Sequence, residues 1–170
     1  MRILFAALAT LLTLSGAAHA GDIAVYAGKF SALRDEANES ALVGLEYRFN
    51  NPGYQGVWNG IRPTIGTSAN TDGATFTYAG IYWDFPITKG AKSGFVITPG
   101  FAPGYYNDNG NESKRLGYGL EFRSTLEATY KFEGGQRVGA QIAHLSNANI
   151  GNKNPGTETV QIVYTHPLSF

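Results

Sequence analysis

The sequence contains no cysteine among its 170 residues. No disulfide can therefore cross-link the fold, and a thiolate nucleophile or a thiolate metal site is excluded. Charge is also scarce, at 15% of residues, and the 13 basic residues balance the 13 acidic ones. Because the positive surplus typical of nucleic-acid binding is missing, we expect no nucleic-acid partner.

The segment 1–20 has the pattern of a secretory signal peptide. It carries one positive charge at Arg2, then an apolar run, and it closes on the small-residue motif AHA. The apolar run is shorter than the roughly 20 residues that a membrane-spanning helix needs. We therefore expect a cleaved signal peptide at 1–20 and one mature domain at 21–170.

What the sequence has in quantity is aromatic residues and glycine, with 10 Tyr, 10 Phe, 2 Trp and 22 Gly. Clusters of turn-forming residues divide the chain into segments of about ten residues. The predicted turns are 33–40, 50–56, 69–73, 86–92, 107–113, 132–136 and 147–156. Seven turns separate eight strands, and an even number of antiparallel strands of this length is typical of a small transmembrane barrel.

Apolar and polar residues alternate along the predicted strands, so each strand has one apolar and one polar face. One predicted apolar face consists of Leu116, Tyr118, Leu120, Phe122, Leu126, Ala128, Tyr130 and Phe132. In a barrel, such faces contact lipid and the polar faces point into the lumen. We expect five charged residues to pair there: Glu46, Arg48, Glu121, Arg123 and Glu127. Eight strands leave an interior that side chains fill, so we expect no open pore.

The C-terminal segment favours a membrane barrel over a soluble β-sandwich, which is the alternative fold. Alternate residues before Phe170 are Leu168, His166, Tyr164, Ile162 and Val160. A last strand with this alternation and a terminal Phe resembles the signal by which outer-membrane barrels are recognised for insertion. The sequence therefore predicts an all-β, eight-stranded antiparallel transmembrane β-barrel in the outer membrane of a Gram-negative bacterium.

The segment AHLSNANIGNKNPGTE, residues 143–158, joins the last two predicted strands. His144, Ser146 and Glu158 share the parity of apolar neighbours, so all three are expected on the lipid-facing side. A hairpin symmetric about Gly151 places His144 opposite Glu158, within hydrogen-bond reach. Ser146 lies about 6.5–7 Å further along the strand. The order acid, base and nucleophile is that of a hydrolytic triad.

The position of this loop in the predicted barrel bears on its role. With the N-terminus in the periplasm the loop is extracellular, and the three polar residues face the outer leaflet. Polar groups beside hydrocarbon are costly without a purpose, and lipid esters lie at this depth. The alternatives are a structural or adhesive barrel, in which the loop is only a turn, and a phospholipase or acyltransferase barrel. No metal site is expected, because His166 lies near the opposite end.

The segment HLSNANIGNKNPGTE resembles the signature of the lipid A 3-O-deacylase (PagL) family: His-x-Ser-Asn-Ala, a loop with Asn and Gly, and a Glu after it. The match covers residues 143–170. The resemblance implies an esterase that removes the acyl chain ester-linked at the 3-position of lipid A, in lipopolysaccharide. It also implies that Ser146 is the nucleophile, His144 the general base and Glu158 the residue that fixes the imidazole tautomer.

Negative charge that develops on the ester carbonyl needs preset donors. The candidates in this loop are Asn147, Asn154 and the backbone N–H groups near Gly151. The resemblance implies no cofactor and no metal; it implies lipid A and outer-membrane lipid as partners, and association as a homodimer. Three basic residues near the predicted outer rim suggest contacts to lipid A phosphates: Lys114, Arg115 and Lys153.

Overall fold

The computed structural model describes residues 21–33, 39–53, 55–88, 92–111 and 114–168. Within these ranges the strands are β1 (Asp22–Phe30), β2 (Ser40–Arg48), β3 (Ile61–Asn70), β4 (Thr75–Trp83), β5 (Phe85–Pro86), β6 (Gly94–Asn107), β7 (Leu120–Lys131), β8 (Arg137–Ser146) and β9 (Thr157–Pro167). A 3-10 helix spans Gly56–Trp58. No helix in the described part of the chain is long and apolar enough to cross a membrane. The predicted signal peptide, 1–20, and Phe170 lie outside the described residues.

The strands close into a barrel. Strands that follow one another in the chain pair antiparallel, except that β4 pairs with β6 and not with the two-residue β5. Strand β1 also pairs with β9. Strand β5 continues β4 past Asp84 and pairs with the same partner, β6. When β4 and β5 are counted as one strand, the sheet is a closed eight-stranded antiparallel barrel. The predicted fold class is confirmed.

The turns fall where the sequence predicts them, although two are longer. The segment after β2 extends to residue 60, and the segment between β6 and β7 extends to residue 119. We call the end with the segments 31–39, 71–74, 108–119 and 147–156 the loop end. Gly21 and Leu168 meet at the other end, where the Leu168 N–H donates to the Gly21 carbonyl at 2.8 Å.

The outer surface of the barrel is apolar. Large exposed hydrophobic side chains occur on every long strand except β3, among them Val25, Val43, Ile81, Phe101, Leu126, Ile142 and Ile162. An apolar surface this extensive is buried in soluble proteins but faces lipid in a transmembrane barrel. The barrel is therefore built to span a membrane, with its charged residues inside.

Ion pairs fill the middle of the barrel, as the sequence predicts for four of the five charged residues. Arg48 is 1% exposed and donates to both carboxylate oxygens of Glu127, at 3.0 and 2.8 Å. Its Nε donates to Glu46 at 2.9 Å. Arg123 donates to Glu46 at 3.2 Å and to the Tyr82 hydroxyl at 2.9 Å. Paired side chains fill this layer.

Glu121 departs from that prediction. It is fully buried and points inward near Asn147, but no ion pair forms between it and a described residue. Neither of its oxygens meets a donor with hydrogen-bond geometry in the described part of the chain. The physical reason is its height in the barrel: Glu121 is the second residue of β7, above the layer in which the buried arginines lie.

An apolar cluster fills the loop end of the barrel interior. In this region the predicted positions of Leu116 and Lys114 are wrong. Phe30, Tyr106, Leu116 and Leu145 belong to it. Leu116 was expected on the lipid-facing side of a strand, but β7 begins only at Leu120, and the preceding segment folds Leu116 into the barrel. Lys114 was expected to be near the outer rim and available to lipid A phosphates, but its side chain is buried, with the ammonium group 3.0 Å from Asp72.

Candidate active site

The site lies on the hairpin β8–β9 at the loop end. The register pairs His144 with Glu158 and Leu145 with Thr157. Leu145 and Thr157 are buried inside the barrel, so His144, Ser146 and Glu158 point outward. Because Leu145 is held in the interior apolar cluster, its burial fixes the outward direction of the two residues beside it. The structure thus brings the three residues of the predicted triad to one surface.

His144 and Glu158 are in direct contact. The imidazole Nδ1 lies 3.1 Å from Glu158 Oε1, and the side chains are 43% and 20% exposed. A carboxylate only accepts hydrogen bonds, so this contact places a hydrogen on Nδ1. In the neutral ring, the lone pair is then on Nε2, which is the nitrogen that a general base uses.

Gly156 lies close to the Cε1 and Nε2 atoms of the His144 imidazole. Its φ is +62°, and a Cβ at this position would lie 3.1 Å from His144 Cε1, 3.6 Å from Nε2 and 3.1 Å from the Leu145 carbonyl oxygen. Any larger residue would therefore crowd the ring in a backbone conformation that favours glycine. Gly156 is a functional residue that the sequence motif does not identify; the available signal is a glycine after Pro155, directly before a strand.

Ser146 is half-buried and is the last residue of β8. It lies on the same outward face as His144, two residues closer to the loop. Within the described residues, its hydroxyl makes no hydrogen bond to the imidazole. Hydrogen bonds of catalytic groups are often loose without substrate and tighten when it binds. Glu158 and His144 are thus in contact in this structure, and the Ser146 hydroxyl lies next to the pair without a hydrogen bond to it.

Asn147 holds the loop 147–156 together. It is fully buried; its N–H donates to Asn154 Oδ1 at 3.0 Å, and its Oδ1 accepts the Asn149 N–H at 3.0 Å. Its Nδ2 donates to the carbonyls of Leu116 and Lys153, at 2.9 and 2.8 Å. All these groups are already hydrogen-bonded, within the loop or to the Leu116 carbonyl beside it. Asn147 was predicted as an oxyanion donor, but its donors are directed inward, and it acts here as the anchor of the loop.

The two other predicted donors, Asn154 and Gly151, lie in the same loop. Asn154 accepts from Asn147 through Oδ1, which turns its Nδ2 the other way, and the residue is half-buried. Gly151 is also half-buried and packs closely on the preceding segment: a Cβ there would lie 2.9 Å from Tyr118 Cβ. Its close contact fixes the backbone at the tip of the loop.

Two consecutive residues of this loop have left-handed backbone conformations. Ala148 has φ +52° and Asn149 has φ +62°. Asn tolerates this region, but alanine does so at a cost of about 1 kcal/mol. Such strain is concentrated at functional sites, where surrounding contacts maintain it. The hydrogen bonds of Asn147 supply those contacts here.

The fold and the site together define a class: transmembrane β-barrels with an acid–imidazole pair on the membrane-facing surface. The chain belongs to the lipid A 3-O-deacylase (PagL) family, whose model matches residues 41–167. This range includes the whole hairpin β8–β9. The family predicted from the HLSN segment is confirmed.

Two curated relatives match over shorter stretches. The lipid A deacylase PagL of Bordetella bronchiseptica is 29% identical over 72 residues, which are 42% of this chain and 40% of the relative. The lipid A deacylase PagL of Pseudomonas aeruginosa is 36% identical over 55 residues, 32% of either chain. The matched parts thus span less than half the length of these relatives.

A solved structure matches over nearly its whole length. The crystal structure of the outer membrane enzyme PagL superposes with a TM-score of 0.68 at 20% identity, and covers 86% of this chain and 99% of that one. At this identity the likeness shows the fold. It is an independent confirmation of the barrel fold.

Proposed function

We propose that this chain is a serine esterase that hydrolyses the ester-linked acyl chain at the 3-position of lipid A. The observation that carries the proposal is the His144–Glu158 contact beside Ser146, on the outer surface of a barrel of the lipid A 3-O-deacylase family. A largely apolar outer surface with a polar site on it suits a substrate that stays in the membrane. The relatives named lipid A deacylase support lipid A as the substrate.

In the first half of the reaction, Ser146 Oγ attacks the ester carbonyl carbon while His144 Nε2 takes the hydroxyl proton. Glu158, bonded to Nδ1, stabilises the imidazolium that forms. The imidazolium then gives its proton to the departing sugar oxygen as the ester bond breaks. The acyl chain is left on Ser146 as an ester.

In the second half, water replaces the sugar. His144 takes a proton from the water, whose oxygen attacks the acyl carbonyl, and the imidazolium returns a proton to Ser146 Oγ. The products are a free fatty acid and lipid A with one hydroxyl restored. Apart from the substrate and water, the proton transfers use only His144 and Ser146.

The loop beyond Ser146 supplies donors for the carbonyl oxygen in both halves. We assign this role to Asn154 Nδ2 and the Gly151 N–H, with Asn147 holding both in place. Donors that are fixed before the reaction stabilise the transition state without reorganising. The strained backbone at Ala148 and Asn149 belongs to the same preset arrangement.

The site faces the outer leaflet in this proposal. It lies at the loop end of the barrel, opposite the end where Gly21 and Leu168 meet. With those segments in the periplasm and the predicted signal peptide removed, the hairpin tip reaches the cell surface, where lipid A is the outer lipid. Association as a homodimer stays a prediction.

The test is mass spectrometry of lipid A from cells that express the wild type, Ser146→Ala or Ser93→Ala at equal outer-membrane abundance. Ser93 lies in the turn before β6, at the other end of the barrel, so it is a matched control. We expect the wild type and Ser93→Ala to remove one acyl chain, and Ser146→Ala to leave lipid A intact.

Other outcomes point elsewhere. Intact lipid A with the wild type, together with free fatty acid and lysophospholipid, identifies a phospholipase. Intact lipids of both kinds, with the barrel folded in the membrane, identify a structural or adhesive barrel. Activity that survives in Ser146→Ala excludes Ser146 as the nucleophile.

A further inference from the structure

A groove at the loop end lies between the end of β6 and the segment 114–119. Its volume is about 320 Å³, and its described lining includes Tyr105, Asn107, Asp108, Arg115 and Tyr118. This volume is at the lower end of the range of about 300–1,000 Å³ found for small-molecule pockets. The predicted triad is not part of the described lining, so the groove is a second place at which a ligand could bind.

The backbone around the groove is held by hydrogen bonds between β6 and the segment 114–119. The Tyr106 N–H donates to the Gly119 carbonyl at 2.7 Å, and the Tyr106 hydroxyl donates to the Lys114 carbonyl at 2.8 Å. Gly119 leaves room for the neighbouring ring, because a Cβ there would lie 3.0 Å from Tyr105 Cε2. A ligand that enters the groove therefore meets a preformed site and does not have to order the chain.

The lining combines exposed aromatic rings with charged groups. Tyr105 and Tyr118 are 67% and 50% exposed. Asp108 is fixed by its own turn, since its Oδ1 accepts the Gly110 N–H at 2.9 Å, and its Oδ2 lies 3.5 Å from Arg115 Nε. A sugar ring has an apolar C–H face that packs on an aromatic ring, and hydroxyl groups at its edge that carboxylate and guanidinium groups bind. The lining thus has the chemistry of a saccharide site.

The segment 114–119 also contacts the loop of the candidate active site. Asn147 Nδ2 donates to the Leu116 carbonyl at 2.9 Å. A Cβ on Gly151 would lie 2.9 Å from Tyr118 Cβ, so the loop packs directly on the base of one of the two tyrosines. The groove and the candidate active site are therefore neighbours at the loop end and share this segment.

The strand register gives the position of the groove relative to Ser146. Tyr105 on β6 pairs with Leu120 on β7, whereas Ser146 on β8 pairs with Phe122. Tyr105 is therefore two strands away from Ser146 and one outward position nearer the loop end. From the usual strand spacing and rise, this offset is about 10 Å across the barrel and about 7 Å toward the loop end. A single sugar ring is shorter than this distance.

We propose that the groove is a saccharide subsite for the headgroup of the substrate. In it, a sugar ring packs on Tyr105 and its hydroxyl groups hydrogen-bond Asp108 and Arg115. The distance from Ser146 assigns the groove to a sugar other than the one that carries the reacting ester, so the ligand class is a glycolipid with at least two sugars. This inference rests on the proposed esterase activity and adds how the enzyme holds the headgroup.

The position of the groove agrees with the direction of such a substrate. The groove lies on the loop-end side of Ser146, and the apolar outer surface continues on the other side with Leu126 and Ile142, which are 49% and 51% exposed. A lipid whose acyl chain lies along this apolar surface therefore has its headgroup at the loop end. The sugars then extend toward the groove.

The experiment compares two substrates with the purified barrel in detergent micelles. One is lipopolysaccharide, from which released fatty acid is quantified, and the other is para-nitrophenyl palmitate, which carries no sugar. Tyr105→Leu removes the ring and Tyr105→Phe keeps it. Tyr164→Leu is the matched control, because Tyr164 is 42% exposed on the outer surface and pairs with Val138 near the other end of the barrel.

The expected result is a loss that depends on the sugar. Tyr105→Leu should lower kcat/KM for lipopolysaccharide about five- to tenfold, mainly through a higher KM, as loss of a tyrosine anchor does at other binding surfaces. It should leave the palmitate ester unchanged. Tyr105→Phe and Tyr164→Leu should match the wild type with both substrates.

Each other result overturns the inference in a recognisable way. An equal fall for both substrates in Tyr105→Leu means a structural role, and no fall for lipopolysaccharide means no contact at the groove. An equal fall in Tyr164→Leu means that the tyrosines only anchor the barrel at the membrane interfaces. A fall in Tyr105→Phe as large as that in Tyr105→Leu excludes packing of a sugar on the ring.

Failure of the groove and failure of the esterase give different results. If the wild type hydrolyses neither substrate, the proposed esterase activity fails. If it hydrolyses both and the variants do not differ, only the saccharide subsite fails. A lost heat-dependent gel shift identifies a variant that has not folded, and Arg115→Gln, at a side chain that is 58% exposed, then tests the groove in its place with the same two substrates.

Discussion

The Nδ1 atom of His144 lies 3.1 Å from Oε1 of Glu158, at positions that the ladder between β8 and β9 pairs directly. Both residues belong to one short hairpin, so their alignment depends on a single register. The contact places the hydrogen of the neutral imidazole on Nδ1.

Glu158→Gln keeps the size of the side chain and removes its charge. We expect it to lower kcat about 10³- to 10⁴-fold, as loss of the acid does in other triads, because the amide stabilises neither the tautomer nor the imidazolium. Initial rates of ester hydrolysis measure the effect. Glu133→Gln, in the exposed turn between β7 and β8, is the control and should match the wild type. A Glu158→Gln enzyme with full activity would remove Glu158 from the mechanism.

Gly156→Ala is expected to displace the imidazole. The added Cβ would lie 3.1 Å from His144 Cε1, and the backbone φ of +62° adds strain of about 1 kcal/mol. We expect kcat to fall at least about tenfold with a folded barrel. Gly56→Ala separates the two causes, because Gly56 has φ +64° but no atom within 4 Å of its would-be Cβ. Equal activity in both variants would show that the contact with His144 is unimportant.

Asn147→Ala is expected to loosen the loop without unfolding the barrel. It removes the side-chain bonds to the Leu116 and Lys153 carbonyls and to the Asn149 N–H. We expect faster tryptic cleavage after Lys153 and lower kcat. Asn152→Ala is the matched control, since Asn152 is exposed in the same loop. Unchanged cleavage and activity in Asn147→Ala would contradict its role as the anchor.

Arg48→Leu is expected to destabilise the barrel strongly. The change leaves Glu127 buried without its two charge-assisted bonds. Breaking a buried ion pair in this way costs about 3–5 kcal/mol. Urea unfolding in micelles, followed by the gel shift of the folded barrel, measures the loss. The double variant Arg48→Leu with Glu127→Leu should recover part of the stability.

A substitution in an exposed ion pair is the control for the urea unfolding of Arg48→Leu. Lys29 forms an ion pair with Glu39 at 2.6 Å, but its side chain is 62% exposed. Exposed pairs contribute about 0–1 kcal/mol, so Lys29→Ala should hardly shift the urea midpoint. Similar losses in Arg48→Leu and Lys29→Ala would show that the interior pairs are not the main support of the barrel.

The sequence alone determined the strands, their two faces and the hairpin of the site. Alternation in a strand is a property of the backbone, so the outward direction of Val43 or Ile142 follows from parity once the strand is recognised. The opposition of His144 and Glu158 was equally accessible, because a turn symmetric about Gly151 fixes the register of a hairpin. These features depend on neighbours in the chain.

Only the tertiary structure decided which side chains meet across the barrel. Leu116 has the parity of a lipid-facing residue, yet it is buried, because the segment before β7 folds inward. Glu121 has the parity of the arginine layer but lies above it. Asn147 is the anchor of its loop because closure brings the Leu116 carbonyl to it. Such contacts depend on register and closure between distant strands, which local periodicity does not specify.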